Sequence, residues 1–440
     1  MTPATSPLLR GEVTDLAQRL IRIDTSNPPG RETPAAELLL EYLSAAGAEC
    51  ELAGPDPERL NLVARVPGGD GPSMMLLAHT DVVPAPNANW TVDPFEGVVR
   101  DGLLIGRGAV DMKGELAARA VALAEVARAP DPPPGDVVLV AEADEERNVS
   151  DVGLSWLVRE RQDIRCDFAV NEGGGILLEL PGGRRVVTIA IGEKRVTSLR
   201  VRMRGHASHA SVPSDDNPVA HAANAALRLL DHQAPAQLVP AVAEALVALG
   251  APKDADDEAL VSWAAAQHQL LDEMVPAMAR LMITPTGLEA GEPANVIPPF
   301  ADLICDCRAL PGQDEADIRS HIAAAIGDDL PYEVEFLEPL AGGTESPTET
   351  ALFEACRSYV AARLPGAELL PVISTGFTDS HWIREAYGTV AYGFAPVFAM
   401  DPIAYEAGAH GADEALAVDD LVEMTEFNLH AIRELARVRV

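Results

Sequence analysis

Lysine is almost missing from this chain. Only Lys113, Lys194 and Lys253 occur among 440 residues, so nearly all positive charge is arginine. Aromatic residues are scarce at 4%, and 33 basic residues face 68 acidic ones for a net charge of −35. That acidity disfavours nucleic acid and anionic membranes as partners, and its plain reading is a solvated surface. No run approaches the roughly 18 uninterrupted apolar residues of a membrane span. The start, residues 1–7, lacks a basic segment followed by an apolar one, so no secretory leader is expected. The five cysteines form no C-x-x-C knuckle. Cys305 and Cys307 alternate with Asp306 and Arg308, so a buried pair on one strand face is expected rather than a disulfide. The expected compartment is a reducing cytoplasm.

What is present is ample core. Hydrophobic residues make up 48%, enough for two domains or for one with a large insertion. Residues 9–47 read as two helices around a Pro-Pro-Gly turn at 28–30. Strands are expected at 60–67, 74–79, 136–142 and 166–170, with helices at about 113–128 and 151–161. That alternation predicts a mostly parallel sheet covered on both faces. Near residue 187 the pattern changes: Val196–Met203 alternates apolar and charged residues like a half-exposed antiparallel strand. Helices at 217–232 and 313–327, an Ala-rich acidic stretch at 240–281, and strands at 283–289, 301–308 and 332–337 make a separate α+β unit. Helix–strand alternation resumes after Thr348 and ends in a helix at 419–436. The expectation is an α/β domain from 1–190 and 342–440, interrupted by an α+β insertion at 191–341.

The chemistry-bearing residues follow strands. His79-Thr80-Asp81 ends the run Met74–Ala78, and Asp111 lies in the glycine-rich Gly106–Gly114. Asp144-Glu145-Glu146 follows Val137–Ala141, and Glu172 follows Phe168–Val170. Taken singly, each has a structural reading: a satisfied histidine, a helix N-cap, a solvated acidic turn, a loop acid. Several at one sheet edge point instead to a metal site of imidazole nitrogens and carboxylate oxygens, which hydrolytic divalent metals use.

The order of these motifs, together with the late Ala409-His410-Gly411, resembles the M20 family of metallopeptidases and amidohydrolases. That family includes glutamate carboxypeptidase, aminoacylase, acetylornithine deacetylase and succinyl-diaminopimelate desuccinylase. The resemblance implies a zinc-dependent exopeptidase-like α/β catalytic domain with an inserted α+β lid and dimerisation domain. It implies two zinc ions per subunit, replaceable by cobalt or manganese. His79 and Glu172 would hold one, Glu146 and His410 the other, and Asp111 would bridge. Glu145 is implied as the general base, and Asp81 as the acid orienting His79. In Gly205–Pro213, His209 matches the lid residue that stabilises an oxyanion, often across a dimer, whereas His206 lies one step outside the pattern. Asn295 and Arg308 sit where the family binds a substrate carboxylate, and salt bridging to Asp306 is the competing role for Arg308. Gly376 and Asp379 match a loop beside the leaving-group pocket.

Three positions depart from the family pattern: Asn171 for a common Asp, His381 for a common Arg, and Asp413 for the usual Asn before Glu414. No ligand is lost. The resemblance therefore implies hydrolysis of an amide or peptide bond in a small peptide or N-acyl amino acid with a free carboxylate. The Gly376–Asp379 loop and Ala391–Phe394 lean towards a carboxypeptidase or dipeptidase. The alternative is an N-acyl amino acid deacylase, and an inactive metal-binding relative is a third class.

Overall fold

The strands Met74–His79 and Val137–Glu142 are buried at every position. Unbroken runs of Met, Leu, Val and Ala produce this when helices cover both sheet faces. In the computed structural model, which describes residues 7–212, 214–291 and 293–435, these two strands lie at the centre of a nine-stranded sheet. The leader reading of residues 1–7 for the most part, Pro213 of the His209 motif and the expected helix end at 436 lie outside the described residues. The spatial order is Glu49–Ala53, Asn61–Val66, Val137–Glu142, Met74–His79, Phe168–Asn171, Val390–Gly393, Arg184–Glu193 and Glu368–Ser374, with Gly174–Leu180 paired to Arg184–Glu193. The four strands from Val137–Glu142 to Val390–Gly393 run parallel, and the pairings directly flanking them, with Asn61–Val66 and Arg184–Glu193, are antiparallel. The mostly parallel expectation thus holds for the centre, where crossovers such as the buried helix Lys113–Arg128 join the strands.

The register puts the strand ends together. His79 pairs with Glu142 and Met74 with Phe168, so His79, Asp144–Glu146 and Glu172 all leave the sheet at one C-terminal edge.

The chain forms two compact units. One comprises Met1–Gly192, Ser346–Val372 and Thr378–Val440; the other comprises Glu193–Glu345 and Ile373–Phe377. Gly376, expected with the α/β domain, belongs to the second unit. The reason is local: the Lys194 amide donates to the Ser374 carbonyl at 3.0 Å, and Phe377 packs near Gly342.

In the second unit, Met282–Ala290, Phe300–Ala309, Arg195–Arg204 and Tyr332–Phe336 form an antiparallel sheet. Leu199, Val201, Met203, Leu303, Cys305 and Cys307 alternate onto its buried face, against Ile318, Ile322 and Ile326 of helix Glu315–Ile326. Helix Pro218–Asp231 starts where the Asn217 side chain accepts from the Val219 amide and Pro218 presets the first turn. The acidic stretch forms three helices, Pro240–Ala248, Asp257–Ala265 and Gln269–Met278. All five cysteines are free. Among the described residues no helix is long and apolar enough to cross a membrane.

Candidate metal centre

His79 ends its strand almost completely buried, and its ring is held at both nitrogens. Nδ1 lies 3.0 Å from the Asp81 carbonyl and 3.5 Å from its carboxylate; Nε2 lies 3.0 Å from Asp111 Oδ1 and 3.4 Å from Glu172 Oε2. Burial opposes a charged imidazole, but hydrogen bonds to Asp111, Asp81 and Glu172 outweigh it and hold the His79 pKa well above its ordinary value. Across the site, His410 Nε2 is 3.1 Å from both Asp111 Oδ2 and Glu146 Oε2. Those two carboxylates raise the His410 pKa to about 10. Asp111 therefore divides its two oxygens between the two histidines. Its pKa falls below the carboxylate range because His410 and His79 outweigh its burial.

The loop carrying Asp111 turns tightly. A side chain at Gly114 would meet the Ala109 carbonyl at 2.2 Å, and Gly108 adopts φ +87°. Met112, not Asp111, occupies the N-cap position of helix Lys113–Arg128, so the Asp111 carboxylate is left for the site.

The three acids after Val137–Glu142 divide their work. Asp144 has φ +70° and turns away from the site, where its carboxylate accepts from the amides of Val149 and Ser150 and from Asn27 and Arg59. That turn sends Glu145 and Glu146 into the site. Their amides both donate to the Asp81 carboxylate, at 3.2 Å each, and Asn27 Nδ2 donates there at 2.9 Å. Glu145 Oε2 stands 4.0 Å from His79 Nε2. Burial, then the negative charge of Glu172, push the Glu145 pKa well above the carboxylate range, and burial raises Glu146 as well.

The donor set fits a divalent cation. Ligand atoms of His79, Glu145 and Glu172 lie within 4.8 Å of one another, as do those of His79, Asp111 and Glu146. Four carboxylates crowded at a half-buried edge repel unless positive charge is shared among them.

In the second unit the other expected residues fall into two groups. His209 and Asn295 stand together: Ser208–His209 pairs with Val296–Ile297, and the Ala210 amide donates to the Asn295 carbonyl at 2.9 Å. His209 Nδ1 lies 2.7 Å from the Ser211 hydroxyl and 3.2 Å from the Ser211 amide, which leaves Nε2 facing away from this turn. Arg308 and Gly376 belong to the opposite end of the sheet. Arg308 grips Asp306 through two bonds of 2.9 and 3.1 Å, the competing role named for it. Phe300, beside the His209 end, is eight residues up the strand from Arg308, about 26 Å of extended chain.

Some participants had no sequence signal. Asn27 joins Asp81 to Asp144, and Arg59 pairs with both Glu32 and Asp144 in the interior. Glu142 shares a hydrogen bond with Asp379; burial raises Glu142 well above the carboxylate range and Asp379 to about 6. Arg107 and Glu414 lay inside quoted motifs, yet nothing in their spacing tied one to the other. His381, flagged as a departure, is buried; burial lowers its pKa to about 4, so its ring is neutral.

Known proteins resemble this chain over most of its length. A succinyl-diaminopimelate desuccinylase of Rhodospirillum centenum is 27% identical over 431 residues, spanning 93% of this chain and 94% of that protein. Human N-fatty-acyl-amino acid synthase/hydrolase PM20D1 is 26% identical over 386 residues, 83% of this chain and 75% of that protein. The M20 family metallo-carboxypeptidase Sso-CP2 of Sulfolobus solfataricus superposes with a TM-score of 0.71 at 17% identity, covering 97% of this chain and 100% of that one. The profile of peptidase family M20/M25/M40 matches residues 75–434. The chain belongs to peptidase family M20/M25/M40 and is a hydrolase of that family.

Proposed function

We propose that this hydrolase cleaves an amide or peptide bond in a small substrate with a free carboxylate, in the manner of a carboxypeptidase or dipeptidase. The observation that carries the reading is the divided Asp111 carboxylate, 3.0 Å from His79 on one oxygen and 3.1 Å from His410 on the other. A carboxylate held this way would be able to serve two cations at once. His79 and Glu172 would complete an inner site, and Glu146 and His410 an outer one. These donors suit zinc, with cobalt or manganese as substitutes. Two such ions, when bound, polarise a carbonyl and acidify a water.

The chain's own residues handle the proton and the charge. Glu145 takes the proton from the attacking water and returns it to the leaving amine. Asp81 holds the His79 ring and the Glu145–Glu146 backbone. The Nε2–H of His209 donates to the developing oxyanion. Arg308 exchanges Asp306 for the substrate carboxylate, with Asn295 as a second donor and Gly376 beside the leaving group.

The spacing within the second unit supports a homodimer. A dipeptide cannot touch both ends of a sheet about 26 Å apart, so His209 and Asn295 serve a site on a second copy. Leu227 and Leu230, both more than 60% exposed on helix Pro218–Asp231, offer that copy an apolar face. We place the enzyme in the cytoplasm, without nucleic acid or membrane partners; its free cysteines and charge of −35 support this.

The names of the two sequence relatives favour a second reading, deacylation of an N-acyl amino acid. A panel of dipeptides and of acetyl-, succinyl- and long-chain acyl amino acids, assayed with zinc-loaded protein for released amine, separates the two. Binding of two metal ions without cleavage of any panel member would overturn both.

A further inference from the structure

The two histidines of the centre are held very differently. His79 sits in a strand and is 1% exposed, so the sheet fixes its backbone. His410 sits in the loop between helix Pro402–Gly408 and strand Ala415–Ala417, with φ +60° and a side chain 54% exposed. Packing does not hold it. What reaches its backbone is Arg107, whose Nη2 donates to the His410 carbonyl at 3.0 Å.

Arg107 is itself fixed. It is 2% exposed, it donates through Nη1 to Glu414 Oε2 at 2.5 Å, and its guanidinium lies over the Trp90 ring at 5.4 Å. Glu414 is fully buried and collects three further donors, the amides of Gly108, Val110 and Asp111 at 3.1, 2.7 and 3.0 Å. One buried carboxylate therefore sets the backbone of Asp111, while the guanidinium paired with it sets the backbone of His410. Asp111 and His410 are two of the three proposed ligands of the outer site, and they are distant in sequence.

We infer that Arg107 and Glu414 are positioning residues that set the affinity of the outer site (Asp111, Glu146, His410) for a divalent cation, with little effect on the inner site. The inference rests on the two-metal reading above. Arginine is required because one planar fork must reach a carboxylate and a carbonyl at once. Lysine can satisfy one of them.

The test uses the full chain as wild type, R107K, R107M, E414Q and H410A. Each is loaded with zinc, dialysed against graded chelator and measured for metal per chain, then titrated with cobalt while its absorption spectrum is followed. Wild type should retain two ions, and H410A should mark the behaviour of a chain lacking the outer one. E414Q and R107M should release one ion at 10- to 100-fold lower chelator than wild type, the size typical of lost outer support. The second ion should leave within threefold of its wild-type point, and R107K should fall between. E414Q keeps the shape of Glu414, so unchanged far-ultraviolet dichroism separates this effect from misfolding. Release of both ions together, or release at wild-type chelator in E414Q and R107K, would overturn the inference. If wild type itself holds fewer than two ions, the two-metal reading fails instead.

Discussion

Glu145 is the residue on which the proposed chemistry turns. It stands at 4.0 Å from His79, buried among acids that raise its pKa, yet its backbone is pinned by Asp81. A group that carries a proton but does not hold metal should be separable by an isosteric change. Glu145→Gln is expected to lower turnover by on the order of 10²–10⁴, with metal per chain unchanged by elemental analysis. Retained turnover would remove Glu145 from the role. The acids beside it show how little of such a division the sequence exposes. Asp144, Glu145 and Glu146 are three carboxylates in a row, and only the positive φ of Asp144 turns the first towards Arg59 and Asn27. Aspartate tolerates that conformation through its short polar side chain, but so does asparagine, and nothing in the row of acids announces it.

Elements were legible where their periodicity was strong. Helix Lys113–Arg128 and the strands Met74–His79 and Val137–Glu142 fall within a residue of the expected ranges. The strands Glu49–Ala53, Gly174–Leu180 and Arg184–Glu193 were not expected; the first is a short sheet-edge strand and the second opens on two glycines, compositions that carry little strand signal. Helix Ser380–Tyr387 carries a prediction of its own. His381 lies in its first turn, buried, with Nδ1 3.0 Å from the Thr378 carbonyl. Burial holds its pKa at about 4 against 6.5, so between those values the unfolded chain binds more protons than the folded one. Its contribution is complete above pH 6.5 and is lost as pH falls towards 4, at up to ~1.4 kcal/mol per pH unit. Denaturant melts from pH 7 to 4 should show a steeper loss for wild type than for His381→Gln. Parallel slopes would refute the assignment.

At the scale of the whole molecule the acidic surface and the acidic centre must be distinguished. Removing divalent cations should lower the melting temperature, because ions bound only by the folded state contribute about 2.7 kcal/mol per site at a hundredfold excess over Kd. Zinc should restore it. Sodium chloride should not, since the centre is half-buried and buried charges are screened far less than surface ones. Equal rescue by salt would assign the effect to the net charge of −35 instead. The proposed dimer makes a sharper prediction. Glu145→Gln and His209→Ala chains, each inactive alone, should regenerate roughly a quarter of wild-type activity when co-assembled, because one site of each mixed pair is complete. No recovery would mean that His209 does not act on a second copy.

What the sequence by itself determined is the set of groups at one sheet edge. Acids and histidines placed straight after apolar runs must emerge at strand ends, and register then gathers His79, Glu145, Glu146 and Glu172. What only the tertiary structure decided is how those groups are held and how far apart the rest lie. Asn27, Arg59, Arg107 and Glu414 act through hydrogen bonds spanning from 27 to 307 residues, separations that leave no local pattern. His209 and Asn295 stand far from Arg308 because an extended strand adds about 3.3 Å per residue, whatever the motifs at its two ends.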